Sequence, residues 1–190
     1  MKAWKYLLAA MSLVSVLAGC ASTTLSANKA PKLDLSATWV LLPSINNTET
    51  PQAGGRLDSI ASSLMRARGV NLSMYGDVGQ GDEGAFDSAD RHQQQQALER
   101  AGKQGFRYAV AGSVNEWRYK VGGEGEPVAG ISISIIDVAT GRSIWSGSAA
   151  RTDSSERAVS AMAQDLVNSL LDSALSNASS MSRSQTVSAN

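Results

Sequence analysis

The sequence predicts an α/β domain in which helices pack on a mixed β-sheet, in the order β-α-β-α-β-β-β-α. Three observations carry that expectation. Residues 108–150 hold three strand-like stretches joined by two turns. Ahead of them, short apolar runs alternate with stretches of helical period, and behind them residues 158–175 form one continuous apolar stripe at helical spacing.

In chain order, residues 38–42 (TWVLL), closed by Pro43, suit a short strand buried on both faces. A polar loop over 44–55 leads to a helix whose Leu57, Ile60, Ala61, Leu64 and Arg68 share a face. Gly69 is placed to end it, with Arg66 and Arg68 at the negative end of its dipole. Val70, Leu72 and Met74 then alternate with Asn71 and Ser73 in a second strand. A glycine-rich acidic loop, 76–87, precedes a helix over 88–101 with a thin apolar stripe and a solvated glutamine run at 93–96.

The sheet itself is expected in 108–150. Tyr108, Val110 and Val114 share one parity while Trp117, Tyr119 and Val121 share the other, so a bulge is expected over 113–115. Residues 121–128 (VGGEGEPV) turn the chain at an acidic tip, because three glycines and a proline cannot continue a central ladder. Ile131, Ile133 and Ile135 alternate with Ser132 and Ser134, residues 139–142 (ATGR) supply a turn, and 143–149 return around Trp145. Asp153 and Glu156 approximate a capping box for the last helix, whose broad apolar stripe is expected to pack on the sheet.

The N-terminus indicates the compartment. Lys2 and Lys5 precede an apolar run, 6–17, that is too short to span a bilayer, which takes about 20 residues. It ends in Leu17-Ala18-Gly19-Cys20, which resembles a bacterial lipoprotein signal with its lipobox. Cys20 is the one cysteine and is expected to carry the lipid. Ala21 in place of an aspartate implies, by that resemblance, the outer membrane. Residues 1–19 are therefore expected to be leader, 20–37 lipidated cysteine and tether, 38–175 a single periplasmic domain, and 176–190 a disordered tail.

Basic and acidic residues number 17 each, and the leader takes Lys2 and Lys5 with it, so the mature chain has an excess of two acids. That charge argues against nucleic-acid binding. His92 is the one histidine, beside a glutamine run, so a metal site or a Ser-His-Asp arrangement lacks its parts. Residues 79–84 (GQGDEG) match G-x-G-x-x-G, but Asp82 and Glu83 would oppose a pyrophosphate. No catalytic residue, metal or cofactor is expected.

Residues 46–54 (NNTETPQAG), 111–120 (AGSVNEWRYK), Gly125-Glu126-Pro127 and Ala150-Arg151-Thr152 together resemble the PelC family, outer-membrane lipoproteins of Pel exopolysaccharide export. More distantly the layout is similar to CsgG and LpoB. The resemblance implies a homo-oligomeric ring, a dodecamer, beneath a PelB-like outer-membrane β-barrel, with an acidic funnel that steers a cationic polysaccharide and with outer-membrane lipid held through acylated Cys20. It places the family's ring acid at Glu124, with Glu126 beside it. The family's membrane-facing tryptophan falls at Ser154, which leaves Trp145 as an aromatic to stand in for it unless it is buried in the sheet. A periplasmic activator of a cell-wall synthase, similar to LpoB, is the second reading.

Overall fold

The computed structural model describes residues 22–75, 91–120, 125–153 and 157–179. Strand β1, Ser22–Ala27, comes first, then β2, Trp39–Leu41, and β3, Ile45–Asn46. Helix α1, Ala53–Ala67, leads to β4, Leu72–Met74, and helix α2, Arg91–Lys103, leads to the long strands β5, Tyr108–Tyr119, β6, Pro127–Asp137, and β7, Arg142–Thr152. Helix α3, Val159–Leu175, closes the order. The strands form one mixed sheet in the order β1-β7-β6-β5-β2-β4, with β3 beside β5. Along β1, β7, β6 and β5 each strand is antiparallel to its neighbour; β2 and β3 run parallel to β5, and β4 runs parallel to β2.

The expected burial of β2 on both faces is observed. Trp39 and Leu41 join Tyr108 and Val110 in the main core, whereas Val40 and Leu42 meet Ala97, Ala101, Ala109 and Ala111 under α2. Helices α1 and α3 cover the first face. Leu57, Ala61 and Met65 pack there with Met162, Leu166 and Leu170 over Ile131, Ile133 and Ile135. The stripe of α3 is buried as its period implied, and each large side chain so buried contributes about 1.5–3 kcal/mol.

The bulge in β5 falls where the parity of its apolar residues changes. Its pairing with β6 shifts between Val114 and Glu116, and the shift puts both Val114 and Trp117 in the core. At the second turn, Gly141 has φ +66 and its amide donates to Asp137 O at 2.8 Å. A further register shift, between Ile135 and Ile136, carries no signal in the alternation of the sequence.

Several expectations are corrected. Residues 22–27 lie within the stretch read as tether, yet they form β1, with Ser22 opposite Thr152 and Ala27 opposite Gly147. All six residues are exposed, so no apolar pattern betrays the strand; backbone hydrogen bonds to the edge of β7 hold it. Leu33 is buried, and Asp34 bridges Ser179, so the folded body extends on both sides of 38–175. The glutamine run is not wholly solvated, because Gln94 Nε2 donates to Pro43 O at 3.0 Å and Gly112 O at 3.3 Å. Helix α3 has Ala158 as its N-cap and no side-chain cap, while the Asp153 carboxylate accepts from Arg151 at 2.8 Å and Arg157 at 3.4 Å. Glu156, its expected partner in the cap, lies outside the described residues.

Gly69 ends α1 with φ +78, as expected. Arg68 goes beyond a dipole role: its guanidinium donates to Leu64 O at 3.0 Å and, at 2.6 Å each, to Asn168 and Asp172 on α3. It thereby joins the two helices that cover one face of the sheet.

Candidate functional site

The turn expected at the acidic tip lies at one end of the sheet. There β5 finishes at Tyr119 opposite Pro127, Val128 of β6 lies opposite Thr152 of β7, and Thr152 lies opposite Ser22 of β1. Gly125 takes φ +66, a left-handed conformation that a residue without Cβ adopts freely, and leads the chain into β6. The Lys120 amide donates to Glu126 O at 2.8 Å, and Lys120 Nζ sits 2.8 Å from Glu126 Oε2.

Glu126 therefore stands at the base of the hairpin tip, about half exposed, with its charge already matched by Lys120. An exposed pair of this kind contributes about 0–1 kcal/mol, so it shapes the local field more than the stability. Glu124 lies outside the described residues, as do Cys20 and Ser154. The glycine-rich stretch 79–84 also lies outside them.

Of the two readings of Trp145, buried in the sheet or facing the membrane, the first is observed: it is fully buried. Its indole is part of the main core, and Nε1 donates to Asn28 O at 3.1 Å. Asn28 in turn donates its amide to Ser146 O at 3.0 Å, so Trp145 secures the chain that leaves β1. His92 is exposed on α2, and among the described residues no group of three His, Cys, Asp or Glu side chains is placed to hold a metal ion. No helix among the described residues is long and apolar enough to cross a membrane.

Two features were not anticipated. Asp58, on α1, accepts the Ser44 amide through Oδ2 at 3.3 Å, while its Oδ1 and the buried Ser44 Oγ have no partner among the described residues. Burial pushes its carboxyl up to about 6, with hydrogen bonding from Ser44 working in the opposite direction. A lone acid within an amphipathic helix gives no sign of this, since whether the end of β2 closes over it depends on tertiary packing. The second feature is a surface cleft of about 350 Å³ lined by Thr50, Arg56, Trp117, Arg118, Tyr119 and the first turn of α3. Its walls come from segments distant in sequence, so spacing could not assemble them.

No family model and no curated protein matches the chain. Among solved structures, it is similar to a PelC dodecamer from Paraburkholderia phytofirmans, with 32% identity over 80% of this chain and 98% of that one, at a TM-score of 0.66. A leucine-to-methionine variant of that protein, also a dodecamer, gives 32% identity over 78% of this chain and 96% of that one, at 0.64. A lipoprotein from Neisseria meningitidis shares the fold at 21% identity, covering 72% of this chain and 96% of that one at 0.54. At 32% identity over 80% of its own length and nearly the whole length of a solved PelC, the chain belongs to the PelC family.

Proposed function

We propose that the protein is a non-catalytic outer-membrane lipoprotein, anchored through acylated Cys20, that assembles as a ring under a PelB-like β-barrel. Acids at Glu124 and Glu126 guide a cationic exopolysaccharide, Pel, toward the pore. The observation that carries this reading is the 32% identity to a PelC that is itself a dodecamer, across 98% of that chain.

The register of β1 supports it. Cys20 precedes Ser22 by two residues, so at most about 7 Å of chain separates them. Val128, just past the acidic tip, is two ladder spacings from Ser22, about 10 Å. A lipid on Cys20 thus holds the tip close to the membrane, where the mouth of a barrel would lie. The domain's small excess of acid is too weak to draw a polymer by itself. Repetition of one acidic tip around a closed ring multiplies it into a field that concentrates a cationic chain.

Sedimentation of the mature protein tests the assembly. A single closed oligomer at micromolar concentration is expected, and a monomer at every salt concentration would reject the ring.

A further inference from the structure

Strand β1 is attached to the domain by its backbone. All six of its residues are exposed, and neither Leu25 nor Ala27 joins either core. No hydrogen bond or ion pair reaches a side chain of β1. What holds it is its main-chain ladder to β7, and its other edge carries no strand among the described residues.

The attachment changes at Asn28. Its amide donates to Ser146 O at 3.0 Å, and its carbonyl accepts from the buried indole of Trp145 at 3.1 Å. Two residues on, Ala30 O accepts from Asn177 Nδ2 at 2.9 Å, and Leu33 is buried in the main core. From Asn28 onward, then, side chains of the body grip the chain, whereas before it only exposed backbone hydrogen bonds do. A segment of that kind opens at far lower cost than the core beside it. Asn28 is the pivot about which β1 can leave β7 while the rest of the sheet stays folded.

The register gives the geometry of such a release. The Asn28 amide points at β7, so in the alternation of an antiparallel ladder the amides of Ser22, Thr24 and Ser26 do so too, and those of Thr23, Leu25 and Ala27 face outward. Paired, the strand runs about 20 Å from Asn28 to Ser22. It ends opposite Thr152, at the hairpin end of the sheet, with Cys20 two residues beyond. Released, the chain from Asn28 to Cys20 reaches up to about 29 Å in any direction.

We propose that β1 is a releasable strap that orients the domain on the membrane. Paired with β7, it holds the hairpin end toward the bilayer; released, it lets the domain swing about Asn28 without losing its anchor. The proposal rests on Cys20 being acylated, and adds to it a division of labour in which the lipid attaches the domain and the strap aims it.

Two proline variants separate the strap from the fold. Thr24→Pro/Ser26→Pro removes two ladder amides, whereas Leu25→Pro removes one that faces outward, a position at which an edge strand tolerates proline. In the mature chain from residue 20 with Cys20→Ser, amides of 22–27 should exchange with solvent at least ten-fold faster than those of 129–135 in β6. Thr24→Pro/Ser26→Pro should abolish the protection that remains at 22–27 with the melting temperature unchanged, and Leu25→Pro should keep it. Exchange of 22–27 at the rate of 129–135 overturns the proposal, as does a melting temperature lowered by the ladder prolines and not by Leu25→Pro. On vesicles, the acylated protein carrying a donor dye at Arg118→Cys, an exposed position opposite Val128, reports orientation by energy transfer to an acceptor lipid. Transfer should fall at least two-fold with the ladder prolines and stay at the unsubstituted level with Leu25→Pro. Equal transfer in all three proteins, each bound to the vesicles, overturns the orienting role and leaves the anchor standing. Failure of the acylated protein without proline to stay on the vesicles overturns the anchor, and the orienting role with it.

Discussion

The indole of Trp145 lies against Gly147, two residues further along β7, so closely that a β-carbon at 147 would fall 2.6 Å from Cη2 of the ring and 2.9 Å from Cδ2 of Leu170. Gly147 is thus the space into which the tryptophan packs. Gly147→Ala should cost about 1–3 kcal/mol through overpacking, and Trp145→Ala about 3–5 kcal/mol through the cavity it leaves. Because the two share one contact, the double variant should be less destabilised than the sum of the singles. Urea unfolding of all four proteins measures this. A Trp145→Ala variant as stable as wild type would contradict its burial.

Asp58 makes stability depend on pH in an unusual direction for a carboxylate. Its folded value of about 6 exceeds the ordinary 3.8, so the folded state holds the proton more tightly. Its contribution is fully present below pH 3.8 and is lost as pH rises through about 6. Asp58→Asn keeps an acceptor for the Ser44 amide and removes the buried charge. It should raise stability at neutral pH by up to roughly 3 kcal/mol and flatten the profile in that window. Melting temperature against pH decides it, and an unchanged slope would place the titration elsewhere.

Cys20→Ser should leave the protein as a soluble form or an unprocessed precursor, since among the described residues no helix offers a substitute anchor. Membrane fractionation reads the outcome, and wild-type levels of the serine variant in the outer membrane would show that the lipid is not the anchor.

Charge at the hairpin tip should matter for export and not for folding. Glu126 is exposed and pairs with Lys120, so Glu126→Gln should change stability by no more than about 0.5–1 kcal/mol. Glu124→Arg/Glu126→Arg reverses both charges and replaces the Glu126 partner of Lys120 with a like charge. Secretion of the cationic polymer should fall sharply and recover in part at high salt, because the Debye length shrinks from about 10 Å at 0.1 M to about 3 Å at 1 M. Normal secretion by a stable, ring-forming double variant would remove these acids from the guiding role.

The alternation and periodicity of the sequence determined by themselves the three-stranded meander, the bulge near Asn115 and the burial of α3, because each depends on local side-chain parity. TWVLL was enough to place β2 between two covered faces, since no polar residue interrupts it. Short segments such as AGSVNEWRYK carry the resemblance to the PelC family by themselves. Tertiary structure alone decided the rest. Strand β1 has no apolar signature, and only the open edge of β7 recruits it. Trp145 is buried because the residue two positions along its strand has no side chain and α3 closes above both, a condition that pattern cannot express. The high carboxyl value of Asp58, the bond from Arg68 to α3 and the pairing of Glu126 with Lys120 likewise depend on distances across the fold. Electrostatics falls off with separation in space, and the chain order does not record that separation.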